Sequence, residues 1–194
     1  MSRRKLRITF NAPAILGFAL ICCIATALGS VTRGASTRLL FSTYAAPMSD
    51  ILMYVRLFGH SFGHADPGHL VANMSYLLLV GPMLEEKYGT RTMIALMAIV
   101  SVVTGIINNL LFPHTMLLGA SGICFALILL ASFSAFREGE VPLTFILVAV
   151  IYLGQQVMDG LLTQDRISQS SHLVGGVIGA WAGYTMNRKM SGRI

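Results

Sequence analysis

The chain has 194 residues, 55% of them apolar and 11% charged, with a mean hydropathy of +0.71. A water-soluble domain of this size cannot bury so much apolar side chain, so most of its surface must face lipid. The net charge of +6 comes from basic residues at the ends of apolar runs, not from one clustered face, which argues against a nucleic-acid partner.

In chain order, Arg3-Arg4-Lys5-Leu6-Arg7 precedes an apolar run over 10–30, with Asn11 and Pro13 suited to its first turn. The basic start and Ala25-Thr26-Ala27 also fit a cleavable signal peptide, but the run is long enough to span a bilayer. A polar connection, 31–49, leads to a half-apolar stretch, 50–62, suited to the membrane interface. Further spans are expected over 68–84, 92–112, 117–136, 141–158 and 172–186, the last after a polar loop at 159–171. They stop at Glu85-Glu86-Lys87, Pro113, Arg137-Glu138-Gly139-Glu140 and Arg188-Lys189. The expectation is an all-α, polytopic membrane protein: one six-helix unit over 10–187, with short tails at 1–9 and 188–194. Six spans put both termini on one side, and only Arg33, Arg38, Arg56 and Arg166 fall on the other, so both termini are expected in the cytoplasm. Cys22, Cys23 and Cys124 lie within apolar runs and read as buried small hydrophobes.

Chemistry concentrates in Gly119-Ala120-Ser121-Gly122, where a loop becomes an apolar helix. Small neighbours would expose Ser121, and the free N–H groups of the first helical turn would lie beside it, as a nucleophile with an anion pocket requires. Alone, the same residues also suit a packing spot on a membrane helix. His69, Ser121 and His172 each precede the cytoplasmic stop of their own span by the same number of residues, roughly 24 Å of helix. All three therefore fall at one level near the outer surface, and helix packing alone does not require that agreement. His172 is the expected general base for Ser121. The glycines that follow it, Gly175, Gly176, Gly179 and Gly183, allow close helix approach, which is also ordinary packing. His69 and Asn73 share one helical face and could direct donors at an oxyanion, or simply bond between helices. No intramembrane carboxylate is available to orient His172, so a dyad is expected, not a triad. His60, His64 and His69 could in principle hold zinc, but H-E-x-x-H is absent and no acidic base stands among them, so no metal is expected. Asn108, Asn109, Gln155 and Gln156 read as interhelical or loop-facing groups.

With these residues laid out, the chain resembles the rhomboid intramembrane serine proteases. The motifs are His64-x4-His69-x3-Asn73, Glu85-x3-Gly89, Gly119-x-Ser121-Gly122 and His172-x2-Gly175-x3-Gly179, in that order over most of the chain. The resemblance implies a six-helix bundle with a water-filled cavity open to the outer face. It implies Ser121 as nucleophile, His172 as base, and an oxyanion hole from His69, Asn73 and the Ser121 N–H. Gly119, Gly122, His64, Phe125, Gly175 and Gly179 would support them. The implied substrates are transmembrane segments of other proteins, cut near their outer ends without a cofactor. Similarity to short bacterial members implies a bacterial cytoplasmic membrane. Two positions depart from the family pattern. Phe125 stands where bacterial members carry tyrosine, and its ring can still stack on His172. Val55-Arg56 stands where the family has Trp-Arg. A catalytically silent, client-binding rhomboid relative is the alternative, although such relatives usually lack the serine or the histidine. A channel or transporter would spread polar groups through the full membrane depth, whereas here they stop at one level.

Overall fold

The computed structural model describes residues 9–133, 143, 146–147, 150–151 and 166–190, with the side chains of 170–187 in the last helix. Its helices are α1 (Pro13–Val31), α2 (Ala35–Leu40), α3 (Ile51–Gly59), α4 (Pro67–Tyr88), α5 (Thr90–Leu111), α6 (Ser121–Phe133) and α7 (Arg166–Met190), with a 3-10 turn at His60–Phe62 after α3. Among the described residues there is no strand; extended chain pairs in an isolated antiparallel bridge, Thr43 with Leu117.

α1 and α5, of 19 and 22 residues, are long and apolar enough to cross a membrane. The core runs through Ile15, Leu77, Met93, Val100, Ile123, Leu127 and Leu130, contributed by α1, α4, α5 and α6, and Ala182 of α7 closes it. Outward faces are apolar too. Leu20 and Ile24 of α1, Leu79 of α4, Ile94 and Leu110 of α5, and Trp181 of α7 are all exposed. A bundle apolar both inside and outside has lipid as its solvent.

Local chemistry sets the helix starts. Asp66 Oδ1 accepts the His69 N–H at 2.9 Å and Pro67 opens α4, a side-chain cap followed by a residue with no N–H to satisfy. Asp50 caps α3 in the same way, accepting from Leu52 N–H at 2.9 Å. Its other oxygen meets Arg56 Nη2 at 2.6 Å, and the Arg56 guanidinium lies 4.4 Å from the Tyr44 ring centroid. The hydrogen bond from Arg56 holds the Asp50 carboxyl below the usual carboxylate range. At the departure from Trp-Arg, therefore, Arg56 is buried on Asp50 and Tyr44, while Val55 is exposed.

Several expectations need correction. α1 starts at Pro13, and Asn11 does not cap it. Instead the buried Glu85 carboxylate accepts the Ala14 and Ile15 N–H groups at 2.9 and 3.0 Å and the Thr90 hydroxyl at 2.7 Å. Glu85 is thus the missing cap of α1, not a solvated stop to α4. The connection expected over 31–49 contains α2, turned by Arg33 and Gly34 at positive φ. α6 begins at Ser121, not 117, because Leu117 is held extended by Thr43. α7 begins at Arg166, so 166–171, expected as loop, is helix. Cys22 and Cys124 are buried but Cys23 is exposed, since adjacent helical positions point about 100° apart. Most of the span expected at 141–158, with Gln155 and Gln156, lies outside the described residues, as do both tails but residue 9 and 188–190.

Candidate active site

Ser121 is the first residue of α6, and main-chain bonds fix the loop before it. Leu117 and Thr43 exchange N–H···O bonds of 2.9 Å each, and Gly119 N–H donates to His60 O at 2.9 Å. Asn108 Nδ2 donates to Thr115 O at 3.2 Å and to Thr43 O at 3.4 Å, while the Thr43 hydroxyl donates to Asn109 Oδ1 at 3.1 Å. Asn108 and Asn109 therefore tie the loop down, as their polar types suggested. Ala120 O accepts the first helical bond, from Cys124 N–H. The N–H groups of Ser121, Gly122 and Ile123 are then left over at the positive end of α6.

Gly119 is the hinge of this loop. Its φ of +123 is unfavourable for any side chain, and a Cβ there would stand 2.9 Å from His69 Cε1 and 3.0 Å from His69 Nε2. The loop can therefore lie directly on the His69 ring. The same Cβ position is 3.8 Å from Asn73 Nδ2, so α4 brings His69 and Asn73 under the chain that leads into Ser121. Asn73 is buried and its Nδ2 has no partner. A bare buried amide donor costs about 1–3 kcal/mol. Its Oδ1 makes an interhelical contact, accepting the Cys124 thiol at 3.9 Å, while Nδ2 makes none. Its backbone oxygen is used, accepting the Cys124 thiol at 3.4 Å.

α7 supplies His172 from its second turn. A Cβ on Gly175 would run into the Gly122 carbonyl, one on Gly179 into that of Ala126, and one on Gly183 into the Phe133 side chain. Three glycines along one face of α7 thus let it cross α6 backbone to backbone. From the other side, a Cβ on Gly122 would stand 3.2 Å from Ser171 O. The crossing sets Ser171 and His172 against the first turn of α6. One turn further along α6, the Phe125 ring lies 4.3 Å from the His172 ring, tilted by 43°, so the stacking expected without the tyrosine hydroxyl is present.

His64 lies in the loop before α4, its Nδ1 3.2 Å from Phe62 O and its ring edge-on to His69 at 5.0 Å. His60 instead turns into the bundle, with Nε2 2.9 Å from Ser101 O. Among the described residues no three His, Cys, Asp or Glu side chains are grouped to hold a metal ion. Sequence reasoning missed two supports, the His60 carbonyl beneath Gly119 and Glu85 at the start of α1. The spacing of the histidines named the first residue but could not say that its main chain mattered.

A family model for the Rhomboid domain matches residues 52–189. The chain belongs to the Rhomboid family. Rhomboid proteins are embedded in membranes, in keeping with the apolar outer faces described above. The matched segment runs from α3 through most of α7 and so carries every candidate site residue of this rhomboid. No curated protein matches the chain.

Proposed function

We propose that this rhomboid is a serine endopeptidase that cuts transmembrane segments of other proteins near their outer ends. In this reading Ser121 Oγ adds to the scissile carbonyl carbon as its proton passes to His172. The carbonyl oxygen becomes an oxyanion, bound by the Ser121 N–H, Asn73 Nδ2 and His69. Collapse of the adduct expels the amine, which takes the proton from His172, and leaves an ester on Ser121. Water then hydrolyses the ester with His172 again as base. The roles need no metal and no cofactor, and no nucleic acid is a partner.

One observation carries the reading: the glycine-lined crossing of α6 and α7, which brings Ser171 O against Gly122 and the His172 ring against Phe125 on the helix that Ser121 begins. The unpartnered Asn73 Nδ2 under the same loop supports it. We extend the reading to six spans on the apolar runs, to both termini in the cytoplasm on the distribution of Lys and Arg, and to the cytoplasmic membrane of a bacterium on the resemblance to short bacterial members.

The test is cleavage of a reporter transmembrane substrate in liposomes, comparing wild type, Ser121→Ala and His172→Ala, with and without a chelator. Cleavage that survives chelation and disappears in both variants is expected. Cleavage that persists in Ser121→Ala overturns the mechanism. A folded wild type that binds several such segments and cuts none would instead identify a client-binding member of the family.

A further inference from the structure

Cys124 is buried one turn into α6 from Ser121 and has no part in the chemistry proposed above. Its N–H closes the first helical bond, on Ala120 O at 2.9 Å. Its thiol crosses to α4, where Asn73 O stands at 3.4 Å and Asn73 Oδ1 at 3.9 Å. One thiol hydrogen thus lies between two oxygens of one residue, a three-centre arrangement weighted towards the nearer oxygen. The residue it bears on is the one whose bare Nδ2 lies under the loop to Ser121.

An asparagine amide has two ends of nearly equal size, one accepting and one donating, and a rotation of about 180° exchanges them. Shape alone therefore does not decide which end faces Ser121. The surroundings of Asn73 do differ at the two ends. Among the described residues, the Cys124 thiol is the polar group that meets Oδ1, while Nδ2 lies 3.8 Å from where a Cβ on Gly119 would stand. Asn73 is 5% exposed, so bulk water does not set the amide from outside. Rotated, the amide would press its N–H hydrogens on the thiol hydrogen and place its carbonyl oxygen under the loop. An oxygen there would repel the oxyanion that an N–H would bind.

We propose that Cys124 is a positioning residue, whose thiol holds the Asn73 amide with Oδ1 towards α6 and Nδ2 free under Gly119. The task given to Asn73 rests on the protease reading; the orientation of its amide does not. The thiol keeps its hydrogen throughout and forms no bond to substrate. Its effect on turnover passes through Asn73 alone, so it vanishes when that amide is removed.

The test combines kinetics with a direct view of the amide, both on the full-length protein. In liposomes with a reporter transmembrane substrate, Cys124→Val, which fills the space without a donor, should lower kcat about tenfold and leave KM nearly unchanged. Cys124→Ser, which keeps a donor, should stay within about threefold of wild type. In an Asn73→Ala background, Cys124→Val should change kcat by less than about twofold. Cys124→Ala replaces the valine variant if that does not fold. In detergent, the NMR signal of the Asn73 side-chain amide is assigned by its absence from Asn73→Ala. It should be a single pair in wild type and in Cys124→Ser, and broadened or doubled in Cys124→Val. Wild-type kcat in Cys124→Val, the same loss with and without Asn73, or a single sharp amide pair in Cys124→Val overturns the proposal. A wild type that cuts nothing overturns the protease reading instead, and the amide signal still decides whether Cys124 orients Asn73.

Discussion

Two helix starts in this protein face the same electrostatic problem and meet it in opposite ways. The first turn of α1 lies against the Glu85 carboxylate, which takes the Ala14 and Ile15 N–H groups at 2.9 and 3.0 Å. The first turn of α6 has neutral neighbours, the His69 ring beneath Gly119 and the unpartnered Asn73 Nδ2. Both ends carry the partial positive charge of a helix N-terminus. Where a permanent anion fills it, that charge becomes stability. Where only neutral donors stand nearby, it stays available for an anion that exists briefly, such as the oxyanion of the proposed reaction. On the proposed reaction, the difference separates groups that hold the fold from groups that would serve chemistry.

The comparison makes predictions of graded size. Ser121→Ala and His172→Ala should each lower cleavage by roughly 10⁴-fold or more, with thermal unfolding little changed. Asn73→Ala should lower kcat by roughly 10²–10³-fold and leave KM nearly unchanged. It should not reduce the unfolding temperature by the same measure as Glu85→Gln, because the amide Nδ2 has no partner to lose and its Oδ1 only a 3.9 Å contact with the Cys124 thiol. Gly175→Ala should push α7 off the Gly122 carbonyl, and a displacement of about 1 Å at His172 should cost roughly 10²-fold in turnover. Glu85→Gln should act in the reverse sense, lowering stability by roughly 2–3 kcal/mol through weakened bonds to α1, with turnover per folded molecule retained. Equal loss of turnover in Glu85→Gln and Asn73→Ala would dissolve the distinction between the two helix starts. The smallest effect concerns pH. The Asp50 carboxyl is held below its ordinary range by Arg56, so its contribution to holding α3 is present at neutral pH. That contribution is lost only as pH falls from about 4 through the lowered value. Hydrogen-exchange protection factors in α3, corrected for the intrinsic pH dependence of exchange, should fall over that interval in wild type and be flat with pH in Asp50→Asn.

Much of this was legible in the sequence, for identifiable reasons. Apolar runs closed by charges mark helices because lipid tolerates few charges, and α4 and α5 fall within a few residues of their expected ends. His69, Ser121 and His172 stood out because each sits at the same distance from a charged helix end, and Asn73 because it shares a helical face with His69. What the sequence concealed were contacts made by main chain. Nothing in residues 117–120 announces that Leu117 pairs with Thr43, so α6 was expected to start too early. Glu85 looked like a boundary charge because its partners, the N–H groups of Ala14 and Ile15, belong to every residue and carry no signature. The α7 start was misjudged for a related reason. Ser168, Ser170 and Ser171 favour turns by composition, yet residues 166–171 continue as helix into a glycine-lined crossing that overrides local preference.

The Thr43–Leu117 bridge has a mechanical consequence. Its two 2.9 Å bonds, with Asn108 spanning Thr43 O and Thr115 O, make one rigid knot of two chain segments far apart in sequence. One segment belongs to the long excursion between α1 and α3; the other ends at Ser121, four residues beyond Leu117. A displacement of the excursion at Thr43 would therefore reach the serine through four residues of main chain. Any side-chain route would first dissipate it in rotamer changes. The serine stands at the short end of a lever whose long arm is the excursion between α1 and α3.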